Sequence, residues 1–125
     1  MQPYTYTGRV DCTTRPNVGV LEGKSIIVTG GANGLGESYV RAFSKYGAYV
    51  TFGDVDELKG KKLATETGAQ FVECNTTDWR DQVRMFEAAK ANSPHGSVDV
   101  VIANAGVGGR DHLWDLEGVL LLRSK

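Results

Sequence analysis

The chain has 125 residues, 41% hydrophobic and 23% charged, with a formal net charge of −1. That length fits one domain, able to bury roughly two-thirds of the surface its unfolded form exposes. The near-neutral balance lacks the basic excess that nucleic-acid and anionic-membrane surfaces require, and no apolar run approaches the roughly 18 residues of a membrane helix.

Residues 1–22 read as an N-terminal arm, polar and turn-rich, without the basic and apolar regions of a signal peptide. The default location is therefore the cytoplasm. Cys12 and Cys74 lie far apart in no metal-type spacing, which reads as two reduced thiols rather than a lone disulfide, with no metal ligands. "SIIVTG" (25–30) is apolar and β-branched, as a strand buried on both faces should be.

From Gly34 to Tyr46, Leu35, Tyr39, Ala42, Phe43 and Tyr46 recur at helical spacing, and Gly47 stands at the C-cap position. "AYVTFGD" (48–54) is a second strand. Asp56 caps a helix with a thin apolar face that runs to Gly68. "AQFVEC" (69–74) is a third strand, and Thr77 or Asp78 opens a helix on which Trp79, Val83 and Phe86 share one face. "SPHG" breaks that helix before a fourth strand, "SVDVVIAN" (97–104). The order β-α-β-α-β-α-β with crossover-length connections implies an α/β fold: a parallel sheet covered by helices on both faces.

Gly30, Gly31, Gly34 and Gly36 fall within seven positions between the first strand and its helix. Glycine has no side chain to bury, so this density implies a sharp turn or a close approach to something. Helix N-termini present free N–H groups and partial positive charge, and so hold phosphate oxygens. A P-loop needs lysine after its last glycine; Glu37 stands there and would repel a triphosphate. The G-x-G-x-x-G fingerprint is not met either, since from Gly30 the spacing is G-x-x-x-G-x-G. Asp54 lies 24 residues after Gly30, at the end of the second strand. A carboxylate there accepts from both ribose hydroxyls and repels a 2′-phosphate, which favours NAD over NADP. Without a ligand, Asp54 would be a turn residue.

The stretch Thr29 to Gly36, T-G-x-x-x-G-x-G, resembles the cofactor motif of the short-chain dehydrogenase/reductase family. Two further stretches carry the likeness in the same order. Asn104, Ala105 and Gly106 match the family's N-A-G, which supports the sheet and lines the cofactor cleft. "CNTTD" (74–78) is similar to its D-V-T-D, with Asn75 replacing the aspartate that meets the adenine amino group; its side-chain carbonyl can still accept, so the resemblance implies a contact weakened rather than lost. The resemblance covers residues from about 21 to 111. It implies a partial doubly wound Rossmann-type sheet of about four strands, truncated after the fourth. The backbone of Gly30, Asn33, Gly34, Leu35 and Gly36 would hold the pyrophosphate, Asp54 the ribose, Asn75 and Thr76 the adenine, and Asn104 to Gly106 the cleft wall.

The family's catalytic Ser and Tyr-x-x-x-Lys have no counterpart. Four residues after Tyr4, Tyr6, Tyr39, Tyr46 and Tyr49 stand Gly8, Val10, Phe43, Val50 and Gly53. His95 falls in the "SPHG" turn and His112 near the cleft mouth without an acid/base partner, while Trp114 reads as packing. The expectation is thus the NAD-binding half-domain (23–110) of an oxidoreductase that moves hydride between an alcohol or ketone and NAD, inactive alone. A tail (111–125) without family counterpart would follow, and substrate would engage only a full-length parent. The alternatives are a non-catalytic nucleotide-binding or interaction module that self-associates through an exposed fourth-strand edge, and a truncated product without function.

Overall fold

Ser25, Ile26, Ile27 and Val28 are all fully enclosed, and this strand forms the axis of the molecule. The computed structural model describes residues 8, 9, 13 and 15–107. A short 3-10 turn, Val18–Leu21, precedes β1 (Ser25–Thr29), α1 (Gly34–Lys45), β2 (Tyr49–Asp54) and α2 (Glu57–Thr67). Then come β3 (Gln70–Glu73), α3 (Trp79–Asn92) and β4 (Val100–Ile102). The expected β-α-β-α-β-α-β order holds, with every strand parallel in the order β3-β2-β1-β4.

Alternation along the strands sends neighbouring side chains to opposite faces. Ile26 and Val28 join Val50 and Phe52 beneath Val40 of α1 and Leu63 of α2. Ile27 turns the other way and packs with Cys74, Met85 and Ala89 under α3. Two helices thus cover one face and one covers the other. Burial of each large aliphatic or aromatic side chain contributes about 1.5–3 kcal/mol, and both faces draw on it.

The helix ends follow local chemistry. Asp56 accepts from the Lys59 N–H and Gly68 closes α2 in the left-handed conformation, while Asp78 accepts from the Arg80 N–H to open α3. At the base of the sheet, the Asp99 carboxylate takes the Ser25 N–H at 2.8 Å and pairs with His95 Nε2 at 3.0 Å. The Ser25 N–H is the principal cause of an Asp99 pKa below the ordinary carboxylate value. His95 is accordingly exposed, as expected, but tethered to β4's approach.

Trp79, Val83 and Phe86 share a face of α3 as expected, and it is the outer one: Trp79 is 74% exposed. The sheet receives Met85 and Ala89 instead, which pack with Ile27 and Cys74. The fourth strand contracts from 97–104 to Val100–Ile102. It stands at an edge of the described sheet with Val100 and Val101 open to solvent, at 36% and 46% exposure.

Candidate functional site

The chain runs outward from β1 to β2 to β3, then returns across β1 to β4. That reversal, between β1 and β4, is where an open α/β sheet forms a crevice at its strand C-termini. A cleft of about 860 Å³ lies there. Gly30, Asn33, Gly34, Leu35, Asp54, Asn75, Thr76, Asn104, Ala105 and Gly106 line it, so four separate stretches of sequence converge.

Gly36 is the exception. It lies buried beneath the loop, where a Cβ would stand 2.0 Å from the Gly30 carbonyl oxygen and 2.7 Å from Asn104 Nδ2. Its role in this geometry is to seat α1 against β1. Gly34, in contrast, has φ +56° and nothing within 4 Å of its missing side chain. Gly30 also takes a positive φ, +64°. Crowding and conformation therefore divide the cluster: some glycines admit protein, another leaves the helix mouth bare.

That mouth is also uncapped. Asn33 precedes α1 without a side-chain bond to its first turn, whereas Asp56 and Asp78 cap α2 and α3. The free N–H groups and partial positive charge of a helix N-terminus thus face the cleft. Glu37, the acidic residue of that turn, is engaged by Arg41 at 2.8 Å.

Thr29 and Asn104 lock the cleft floor. The Thr29 hydroxyl oxygen accepts from the N–H groups of Asn104 and Ala105, each at 3.0 Å. Asn104 Nδ2 donates to the carbonyls of Thr29 (3.0 Å) and Gly30 (3.1 Å). Two motifs separated by some 70 residues are therefore one hydrogen-bonded unit. Neutralising these groups internally leaves the wall rigid.

Asp54 is held with equal firmness. One carboxylate oxygen accepts from the Ala32 N–H and the other from the Asp56 N–H, both at 3.0 Å. Each oxygen retains a further lone pair. Beyond β3, Asn75 Oδ1 accepts from the Thr77 N–H (3.0 Å) and hydroxyl (2.8 Å), while Gln82 donates to the Thr76 carbonyl.

Val55, Cys74, Thr77 and Val107 also line the cleft; each directly follows or flanks a motif residue, and adjacency was the available signal. Burial pushes the Cys74 thiol up, so it stays protonated and unreactive. Among the described residues, Asp54 is the one charged side chain of the lining, with no lysine, arginine, histidine or tyrosine. No metal-binding cluster of His, Cys, Asp or Glu occurs among the described residues. Cys12, His112 and Trp114 lie outside the described residues, as does the segment 111–125.

A parallel sheet with helices on both faces and a crevice at its switch point defines the Rossmann class of α/β domain. Within that class the family is clear: the short chain dehydrogenase model matches residues 24–118. The chain belongs to the short-chain dehydrogenase family.

Similar proteins include 5'-hydroxyaverantin dehydrogenase of Dothistroma septosporum, 35% identical over 99 residues, which cover 74% of this chain and 32% of that protein. Sex determination protein tasselseed-2 of Zea mays is 45% identical over 72% of this chain and 27% of its own length. The chain thus spans about a third of such relatives. A solved structure of 3-ketoacyl-(acyl-carrier-protein) reductase from Brucella melitensis, complexed with NADH, superposes with a TM-score of 0.66 at 36% identity. The match covers 70% of this chain and 36% of that one.

Proposed function

We propose that this chain is the cofactor-holding part of an oxidoreductase and takes NAD in preference to NADP. The observation that carries the reading is the Asp54 carboxylate, fixed by two backbone N–H groups inside a cleft whose described lining offers no cation. A ribose diol can donate to its remaining lone pairs, whereas a 2′-phosphate would meet negative charge unopposed. The similar reductase solved with NADH supports a nicotinamide dinucleotide here.

The residues fit such a ligand. Gly34's open side and the uncapped mouth of α1 suit a pyrophosphate. Gly30, Asn33 and Leu35 flank that position, and Asn104, Ala105 and Gly106 form the opposite wall. When bound, the nicotinamide supplies a hydride acceptor or donor; the protein's part is to orient it. The described lining offers no lysine, histidine or tyrosine to exchange a proton with a carbonyl or alcohol, and burial holds Cys74 as a thiol. The chain on its own therefore holds cofactor without turning over substrate. An alcohol or ketone would be acted on by a longer parent.

Equilibrium titrations of NAD and NADP against wild type and Asp54→Ala test the reading. The substitution should weaken NAD by about ten-fold while leaving NADP nearly unchanged or improved, as for loss of a charged hydrogen-bond acceptor. An unchanged NAD/NADP ratio would remove Asp54 from the ribose.

A second reading rests on the open β4 edge. Val100 and Val101 present apolar surface on a strand whose outer backbone has no partner strand among the described residues, which suits strand addition from another copy. A stable dimer in size-exclusion chromatography, lost on Val101→Lys, would favour it.

A further inference from the structure

Three turns follow three adjacent strands, and a dinucleotide placed as proposed above must cross them in order. Its pyrophosphate lies at α1 after β1 and its ribose at Asp54 after β2. The base then reaches the turn after β3, where Cys74, Asn75, Thr76 and Thr77 line the same cleft. What that turn offers a purine is decided by Asn75.

The amide orientation of Asn75 is fixed by its neighbour. The Thr77 N–H can only donate, so the atom 3.0 Å from it is the side-chain oxygen. The Thr77 hydroxyl occupies the second lone pair at 2.8 Å. Rotating the amide would set its NH₂ against an N–H. Asn75 thus has no acceptor to spare, while among the described residues nothing accepts from its Nδ2. The Asn75 backbone N–H is engaged as well, donating to Asp81 at 2.9 Å.

We infer that Asn75 is a specificity-determining residue that presents a donor, not an acceptor, to the purine, so the site does not select adenine by its amino group. The inference rests on the dinucleotide reading above. A 6-oxopurine offers a carbonyl oxygen where adenine carries its amino group, and that oxygen pairs with Nδ2. An aspartate at this position would behave differently: one carboxylate oxygen would hold Thr77 and the other would remain to accept from the amino group.

The test compares NAD with nicotinamide hypoxanthine dinucleotide by calorimetric titration of the full chain. Wild type should bind the hypoxanthine dinucleotide at least as tightly as NAD. Asn75→Asp, which keeps both Thr77 contacts, should shift the ratio toward NAD by about ten-fold. Thr77→Val frees one lone pair and keeps the N–H contact, so it should shift the ratio the same way by a smaller factor. Wild type preferring NAD by about ten-fold, with that preference lost in Asn75→Ala, overturns the inference; so does an unchanged ratio in Asn75→Asp. If neither dinucleotide binds, the cofactor reading itself fails and this one falls with it.

Discussion

Gly36 packs so closely on the Gly30 carbonyl and Asn104 that one added methyl has no room. The obstacle is backbone, which cannot swing aside like a side-chain tip. Gly36→Ala should therefore cost about 3 kcal/mol, the upper end of overpacking penalties, in urea-induced unfolding. Gly34→Ala, facing open space at φ +56°, should cost only the left-handed backbone term of about 1–2 kcal/mol. Equal costs at the two positions would contradict this division. In the sequence these glycines are indistinguishable, because spacing says nothing about what stands opposite each one. Asn75 is similar: its replacement of aspartate was plain from the motif, whereas the double hold by Thr77 needed coordinates.

Elements were more legible than their faces. Strand runs and capping residues located every helix and strand to within a few residues: Asp56, Gly68 and Asp78 stand at the ends expected of them. Periodicity grouped Trp79, Val83 and Phe86 on one face of α3 but did not say which face meets the sheet, since it selects the most hydrophobic stripe rather than the one the sheet can approach. Met85 is 1% exposed against Trp79 at 74%. Met85→Ala should accordingly cost about 2–5 kcal/mol by creating a cavity, whereas Trp79→Ala should stay within about 0.5 kcal/mol. Thermal or urea unfolding of the two variants separates them, and a large loss at Trp79 would mean that its face is covered in solution.

At the scale of the molecule, the strand order β3-β2-β1-β4 follows from one reversal. That reversal assembles a cleft from stretches some 20 residues apart along the chain. The parallel sheet and the cleft's principal residues could be read in advance because the strands, their spacing and the glycine loop are local signals. Val55, Cys74, Thr77 and Val107 were legible only as neighbours of motif residues, since the fold is what brings them to the same wall. The central claim is that this cleft, within a chain whose match spans about a third of its relatives, holds a dinucleotide by itself. Calorimetric titration of the folded chain with NAD and, separately, NADP tests it most directly. Saturable one-to-one binding of NAD, tighter than that of NADP, is the predicted result; a folded chain that shows no saturable heat with either would contradict it.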